Sequence, residues 1–258
     1  QMTRMKFVFL SRPRRFGKSL LVSTLEAYFQ GKKHLFEGLA MERLETEWAE
    51  YPVLHMDFSG SKYYDVEMLK SSINVEISRW EKLYGKEEGE TSFSNRFEGV
   101  IRRAYEKTGK QVVVLVDEYD APLLDSNSDS ELQKQLRNIV RDFFSPLKKN
   151  GQYLRFLFIT GISKFSQLSI FSELNNLQNI SMRDDFSALC GITETELLTQ
   201  LKPDIERMAE ANGETYEEAC AHLKKQYDGY HFSKRCEDIY NPFSIFNAFN
   251  AKEYKNYW

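Results

Sequence analysis

Disulfide chemistry has little to work with in this chain. Its 258 residues hold only three cysteines, Cys190, Cys220 and Cys236. Three is few and odd, which excludes a secreted disulfide framework and points to a reducing cytoplasm. Long apolar runs are missing too. None approaches the roughly 20 residues that span a bilayer, so no membrane partner is expected. The apolar run at 7–10 is far too short for the core of a signal peptide. A surplus of charge is also lacking. The net charge is −3, and nothing in that total calls for nucleic acid, although local basic patches leave the question open. There is no low-complexity linker and no internal repeat.

What remains suits one large α/β domain, or a core with a smaller appendage. Four apolar runs, at 7–10, 53–58, 112–116 and 156–160, read as buried parallel strands. A weaker fifth lies at 186–190. Amphipathic helices fall between them, over 20–29, 65–84, 93–104 and 132–143. Strands alternating with helices imply a doubly wound parallel sheet. Beyond residue 190 the strand signals fade. Thr193 followed by Glu196 is a capping box, and a second helix is expected over 214–226. The expected division is a core at 1–190 and a mostly helical appendage at 191–258. A strand within a few residues of Gln1, and an aromatic-rich end in NAFNAKEYKNYW, read as a piece of a longer protein.

The segment FVFLSRPRRFGKSLLVSTLEAYF, residues 7–29, joins a strand to a helix through a basic turn. A phosphate-binding loop needs converging backbone amides, a helix N-terminus and a lysine. Gly17 permits close backbone approach, Lys18 supplies the charge, and Ser19 offers a hydroxyl to Mg2+. Arg14, Arg15, Phe16 and Leu20 flank them and complete the candidate nucleotide-binding set. The usual pattern has a glycine where this chain has Arg12; Pro13 can shape the exit instead by fixing φ. Arg12, Arg14 and Arg15 are expected to place positive charge beside the phosphates. The plain alternative is a basic surface turn before an ordinary helix.

The second signal is VVVLVDEYD, residues 112–120. Ligands of open α/β sheets bind at the C-terminal ends of strands, where these carboxylates fall. Asp117 would hold Mg2+ and Glu118 would orient or deprotonate an attacking water. In FLFITGIS, residues 156–163, Thr160 or Ser163 would sit beside a γ-phosphate, or else simply end a strand. Asp57 reads more simply as the start of a turn. Cys220, His222, His231 and Cys236 match no common zinc spacing and read as buried cysteines and surface histidines. Arg183 and Arg235 are candidate arginine fingers, with solvated surface as the default. The pairs Arg102–Arg103 and Lys148–Lys149 read as solvated surface.

With these pieces placed, the chain resembles the bacterial AAA-ATPase-like family. The carrying stretches are FLSRPRRFGKSLL at 9–21, VVVLVDEYDAPL at 112–123, ITGISKFS at 159–166 and SIFSELNNLQNISM at 169–182, with FSALCGITETEL, YDGYHFS and YNPFSIFNAF further on. The resemblance implies a P-loop core with strand order 5-1-4-3-2 and a following helical, possibly winged-helix, region. It implies ATP and Mg2+ as ligands, with Lys18, Ser19, Asp117 and Glu118 in the roles given above, and it makes Arg12 a normal form of the loop. Members often carry a C-terminal nuclease-like domain of the PD-(D/E)XK superfamily, a further partner within the same protein; a homo-oligomer is also possible. Two functions stay open: Mg2+-dependent ATP hydrolysis with Lys18, Glu118 and Thr160 as catalytic residues, or a nucleotide-binding switch with little turnover. A relic that binds no nucleotide is a third.

Overall fold

The structure, a computed structural model, describes residues 2–124, 126, 129–162, 174 and 176–257. They divide into two compact units, 1–11 with 19–179 and 12–18 with 180–258. These differ from the expected division at residue 190 by the short turn 12–18 and by a boundary near 180. Among the described residues no helix is long and apolar enough to cross a membrane.

The first unit is built on β1 (Phe7–Ser11), α1 (Lys18–Phe29), α2 (Ala40–Leu44), β2 (Val53–Asp57), α3 (Val66–Tyr84), α4 (Phe93–Thr108), β3 (Val112–Asp117), α5 (Ala121–Leu124), α6 (Ser130–Phe144), α7 (Pro146–Lys149), β4 (Leu154–Gly161) and β5 (Gln178–Asn179). The sheet runs β2-β3-β4-β1-β5, which from the other edge reads 5-1-4-3-2. Every pairing in it is parallel. All six residues of β3 are buried, as a strand covered on both faces requires. On one face Leu54, Met56, Val114 and Val116 pack with Ile73, Ile77, Phe97 and Val140 of the helices. On the other, Phe29 of α1 lies against Phe156 of β4, with ring centroids 5.2 Å apart.

The fifth strand is a correction. Residues 186–190 form no strand; β5 lies at Gln178–Asn179. The reason is hydrogen bonding. The carbonyls of Phe186 and Leu189 accept from the Arg12 guanidinium rather than from a neighbouring strand, and Leu189 N–H turns back to Phe186 O.

Helix ends follow local chemistry. Asp65 caps α3 by accepting from Met68 N–H, and Ser92 caps α4 by accepting from Asn95 N–H. Between those two helices Arg96 spans a polar seam. Its guanidinium makes two 2.8 Å bonds to the Glu81 carboxylate and one of 2.6 Å to Asn74 Oδ1. Arg103, expected as solvated surface, instead grips Glu90 with two bonds, of 2.6 and 2.9 Å. Asp57 begins a turn as expected, Oδ1 accepting from Ser59 N–H at 2.7 Å.

The second unit contains β6 (Ile192–Thr193), α8 (Glu194–Gln200), α9 (Lys202–Asn212), α10 (Tyr216–Tyr227), β7 (Ile239–Tyr240) and α11 (Pro242–Ala251). The Thr193–Glu196 capping box is present, and a second one, Thr215–Glu218, opens α10. A small core gathers Leu197, Ile205, Met208, Leu223 and Ile245. The two histidines of the weighed zinc pattern pair with carboxylates. His222 Nδ1 is 3.0 Å from Glu214, and His231 Nε2 is 2.8 Å from Asp238.

Removing one partner of a buried ion pair leaves the other charge stranded. Arg96→Ala should therefore lower stability by about 3 kcal/mol. Chemical denaturation of Arg96→Ala beside the exposed control Arg79→Ala checks this, since an exposed pair contributes about 1 kcal/mol or less.

Candidate nucleotide site

The turn of residues 12–18 leaves the C-terminal end of β1 and opens α1. Its path needs left-handed backbone at two places, Arg15 with φ 66° and Gly17 with φ 85°. Gly17 takes that region freely, while Arg15 does so at a cost of about 1 kcal/mol. Arg12 is not among the residues of positive φ. The position where the usual pattern carries glycine therefore has no conformational need for it. Pro13 reinforces this by biasing Arg12 toward extended backbone.

Arg12 is also not where the sequence suggested. It is 1% exposed. Its guanidinium donates to the carbonyls of Ser181 at 2.7 Å, Phe186 at 2.8 Å and Leu189 at 3.0 Å. It lies 4.0 Å from the Phe232 ring centroid, within cation–π range. Burial lowers its pKa to about 10, so it stays charged at neutral pH. This arginine builds structure and is not aimed at a phosphate.

The neighbouring side chains behave similarly. Phe16 is buried against Tyr230 and Phe232, with centroids at 4.7 and 5.4 Å. Arg15 donates to Tyr257 O at 3.0 Å and stacks 4.2 Å from the Phe243 ring centroid. Arg14 is exposed. Lys18 is buried, and its ammonium donates to Pro13 O at 3.1 Å, folded back over its own turn. Ser19 and Leu20 are exposed in the first turn of α1, where unsatisfied helix N–H groups favour an anion.

The acidic strand end is a separate cluster. Val116 of β3 pairs with Ile159 of β4, so Asp117 and Thr160 end level with each other. Thr160 Oγ1 donates to Asp117 Oδ1 at 3.0 Å, and both residues are buried. Glu118 follows, half-buried, with φ 49°. Asp120 is fully buried and accepts from Ile162 N–H at 3.0 Å. Gly161 is required beside it, because a Cβ there would lie 2.6 Å from Asp120 Oδ1 and from Tyr119 Cε1. Ser163, with 164–173 and 175, lies outside the described residues.

Asp117 and Ser19 offer the hard oxygen donors that Mg2+ takes. Among the described residues no three His, Cys, Asp or Glu gather into a metal cluster. Sequence reasoning missed Asp120 and the partners of Arg12 and Phe16. The third carboxylate of DEYD was the available sign of the first, and the aromatic run YDGYHF of the second.

A protein family described as "Predicted AAA-ATPase" matches residues 1–171, which include both clusters. The chain belongs to that family. Membership of this predicted AAA-ATPase family implies ATP binding. A protein of Azotobacter chroococcum mcd 1, described as an uncharacterized protein in the vnfD 5′ region, is 37% identical over 251 residues. The match covers 97% of this chain and 46% of that protein, so the chain spans about half the length of this relative. No solved structure matches the chain.

Restoring the usual glycine should harm this predicted AAA-ATPase. Arg12→Gly removes the donor shared by the carbonyls of Ser181, Phe186 and Leu189, two of these bonds being buried, at about 1.5–3 kcal/mol for each bond lost to a charged group. Thermal unfolding should show a loss of at least about 3 kcal/mol, with Arg12→Lys recovering only part because ammonium lacks the planar fork.

Proposed function

We propose that the chain binds ATP and hydrolyses it to ADP and phosphate. The observation that supports this most is the Thr160–Asp117 bond, at the ends of two strands that neighbour each other in a sheet whose β1 feeds the basic turn. In this reading Lys18 and the amides of residues 14–20 take the β- and γ-phosphates. For Lys18 that means exchanging the Pro13 carbonyl for phosphate oxygen. Ser19 and Asp117 hold Mg2+, which supplies charge compensation on the phosphate oxygens when bound. Thr160 keeps Asp117 in orientation and reports the γ-phosphate side. Glu118 accepts a proton from water as the water oxygen bonds to the γ-phosphorus. The bond from that phosphorus to the bridging oxygen breaks, and ADP leaves with its electron pair. A nuclease-like domain elsewhere in the same protein, homo-oligomers, a winged-helix role for 191–258 and a cytoplasmic setting belong to the same proposal by resemblance.

A second reading has one observation in its favour. Arg12, Arg15 and Phe16 of the turn all bond or pack with residues between 181 and 257. A loop so engaged suits a nucleotide-occupied switch with little turnover.

ATP turnover with Mg2+ separates these. Glu118→Gln should cut turnover by about 10²–10⁴-fold while leaving ATP binding intact. Lys18→Ala should abolish the thermal stabilisation that ATP gives, which is about 2.7 kcal/mol at a hundredfold excess over Kd. Wild-type binding without turnover, dependent on Lys18, would favour the switch. Wild-type protein with neither would sink both.

A further inference from the structure

The turn of residues 12–18 touches several aromatic rings, and they are not alike. The turn falls in the same compact unit as residues 180–258. Phe232 lies against the Arg12 guanidinium and is only 8% exposed. Tyr230 packs edge-on against the buried Phe16. Phe243 differs. It stands in the first turn of α11, which Asn241 caps by accepting from Ser244 N–H. The Arg15 guanidinium stacks 4.2 Å from its ring centroid, yet the residue remains 38% exposed. Phe246, three residues on and so on the same face, is 49% exposed.

The core does not account for these two rings. From α11 it takes Ile245, Ala248 and Phe249, and Phe243 and Phe246 stay outside it. The place of Phe243 beside the turn is more telling. Arg15 is held at both ends, by left-handed backbone at φ 66° and by its bond to Tyr257 O at 3.0 Å. Phe243 therefore lies one arginine side chain away from the loop backbone. In a nucleotide, the ribose and α-phosphate set the base at a similar remove from the terminal phosphates. With phosphates on the loop amides and Lys18, the base falls within reach of this ring. Every base has a π-face, and stacking on one aromatic side chain strengthens binding by roughly 5- to 150-fold.

We propose that Phe243 is the platform on which the base of the bound nucleotide stacks. This rests on the nucleotide-binding reading above and supplies the half of the ligand that the loop does not hold. Arg15 covers part of the ring and fixes it beside the turn; the base takes the part left open. Stacking reads ring area and not base edges. Purine nucleotides therefore bind tighter than pyrimidine ones, and adenine and guanine are treated alike.

The test is competition against a ribose-labelled fluorescent ATP in the presence of Mg2+. ATP, UTP and inorganic tripolyphosphate compete in turn, on wild type, Phe243→Ala, Phe243→Leu and Phe243→Trp. Phe243→Ala should weaken ATP about tenfold or more and leave tripolyphosphate within twofold. Its preference for ATP over UTP should shrink. Phe243→Trp should match or exceed wild type. Phe243→Leu keeps an apolar side chain of similar bulk but no π-face, and it should bind ATP as weakly as the alanine variant. Equal weakening of ATP and tripolyphosphate would overturn the proposal, because the effect would then run through Arg15 and the loop. So would unchanged ATP affinity in Phe243→Ala, or wild-type affinity in Phe243→Leu. Wild type that binds neither ATP nor tripolyphosphate would sink the nucleotide reading itself, and the platform with it.

Discussion

A buried guanidinium organises the most unusual part of this molecule. Arg12 sits one residue past β1, at the place where a phosphate-binding loop usually carries glycine. A charge this deeply buried is tolerable only when its N–H groups are met, and three backbone carbonyls and an aromatic face meet them. Those carbonyls belong to residues 181–189, a stretch with little regular structure of its own. The arginine supplies to them what a neighbouring strand would have supplied. That explains both why residues 186–190 are not a strand and why the loop pattern departs from glycine here. The departure carries no conformational penalty, because left-handed backbone is needed at 15 and 17 and not at 12.

The same economy runs through the turn. Of its four cationic side chains, Arg12 and Arg15 are engaged by carbonyls and aromatic rings, and Lys18 rests on a carbonyl of its own loop. Arg14 is exposed, and so is Arg15 despite its contacts. Positive charge in the sequence thus overstates the charge available to a phosphate. In the proposed function, what the turn would offer an anion is Lys18 and the backbone amides leading into α1.

Much of the fold was legible because its signals are local. Runs such as VVVLVD are apolar without alternation, and only a doubly covered strand explains that. The helix start at Thr193 announces itself through a capping box that satisfies orphan N–H groups. The misreadings were all non-local. Arg12 reads as a phosphate ligand until its carbonyl partners, some 170 residues on, are known. Arg103 reads as solvated until Glu90 is found across the gap between α3 and α4. At the strand ends, Asp117 and Thr160 were legible singly, as polar residues closing apolar runs. Their hydrogen bond was not, since it depends on the register of β3 against β4.

The backbone at Glu118 carries the remaining argument about chemistry. A non-glycine residue at φ 49° is held in a region that costs about 1–2 kcal/mol. Such strain persists only where the surroundings over-determine it. They do so here: Tyr119 N–H pairs with Thr160 O at 3.0 Å, and Ala121 N–H closes on Glu118 O at 2.9 Å. The following Asp120 is locked by Ile162 N–H, and a glycine at 161 is what lets that carboxylate in. A strand ending only to start a loop would need none of this. The fixation holds one carboxylate level with Thr160 while turning the next residue out of the strand's direction. Two adjacent acids thereby acquire different environments, one buried and hydrogen-bonded, the other half-exposed at the sheet's end. That difference is what separate roles, one as an oxygen ligand and the other as a base for water, would require of neighbouring residues in one strand.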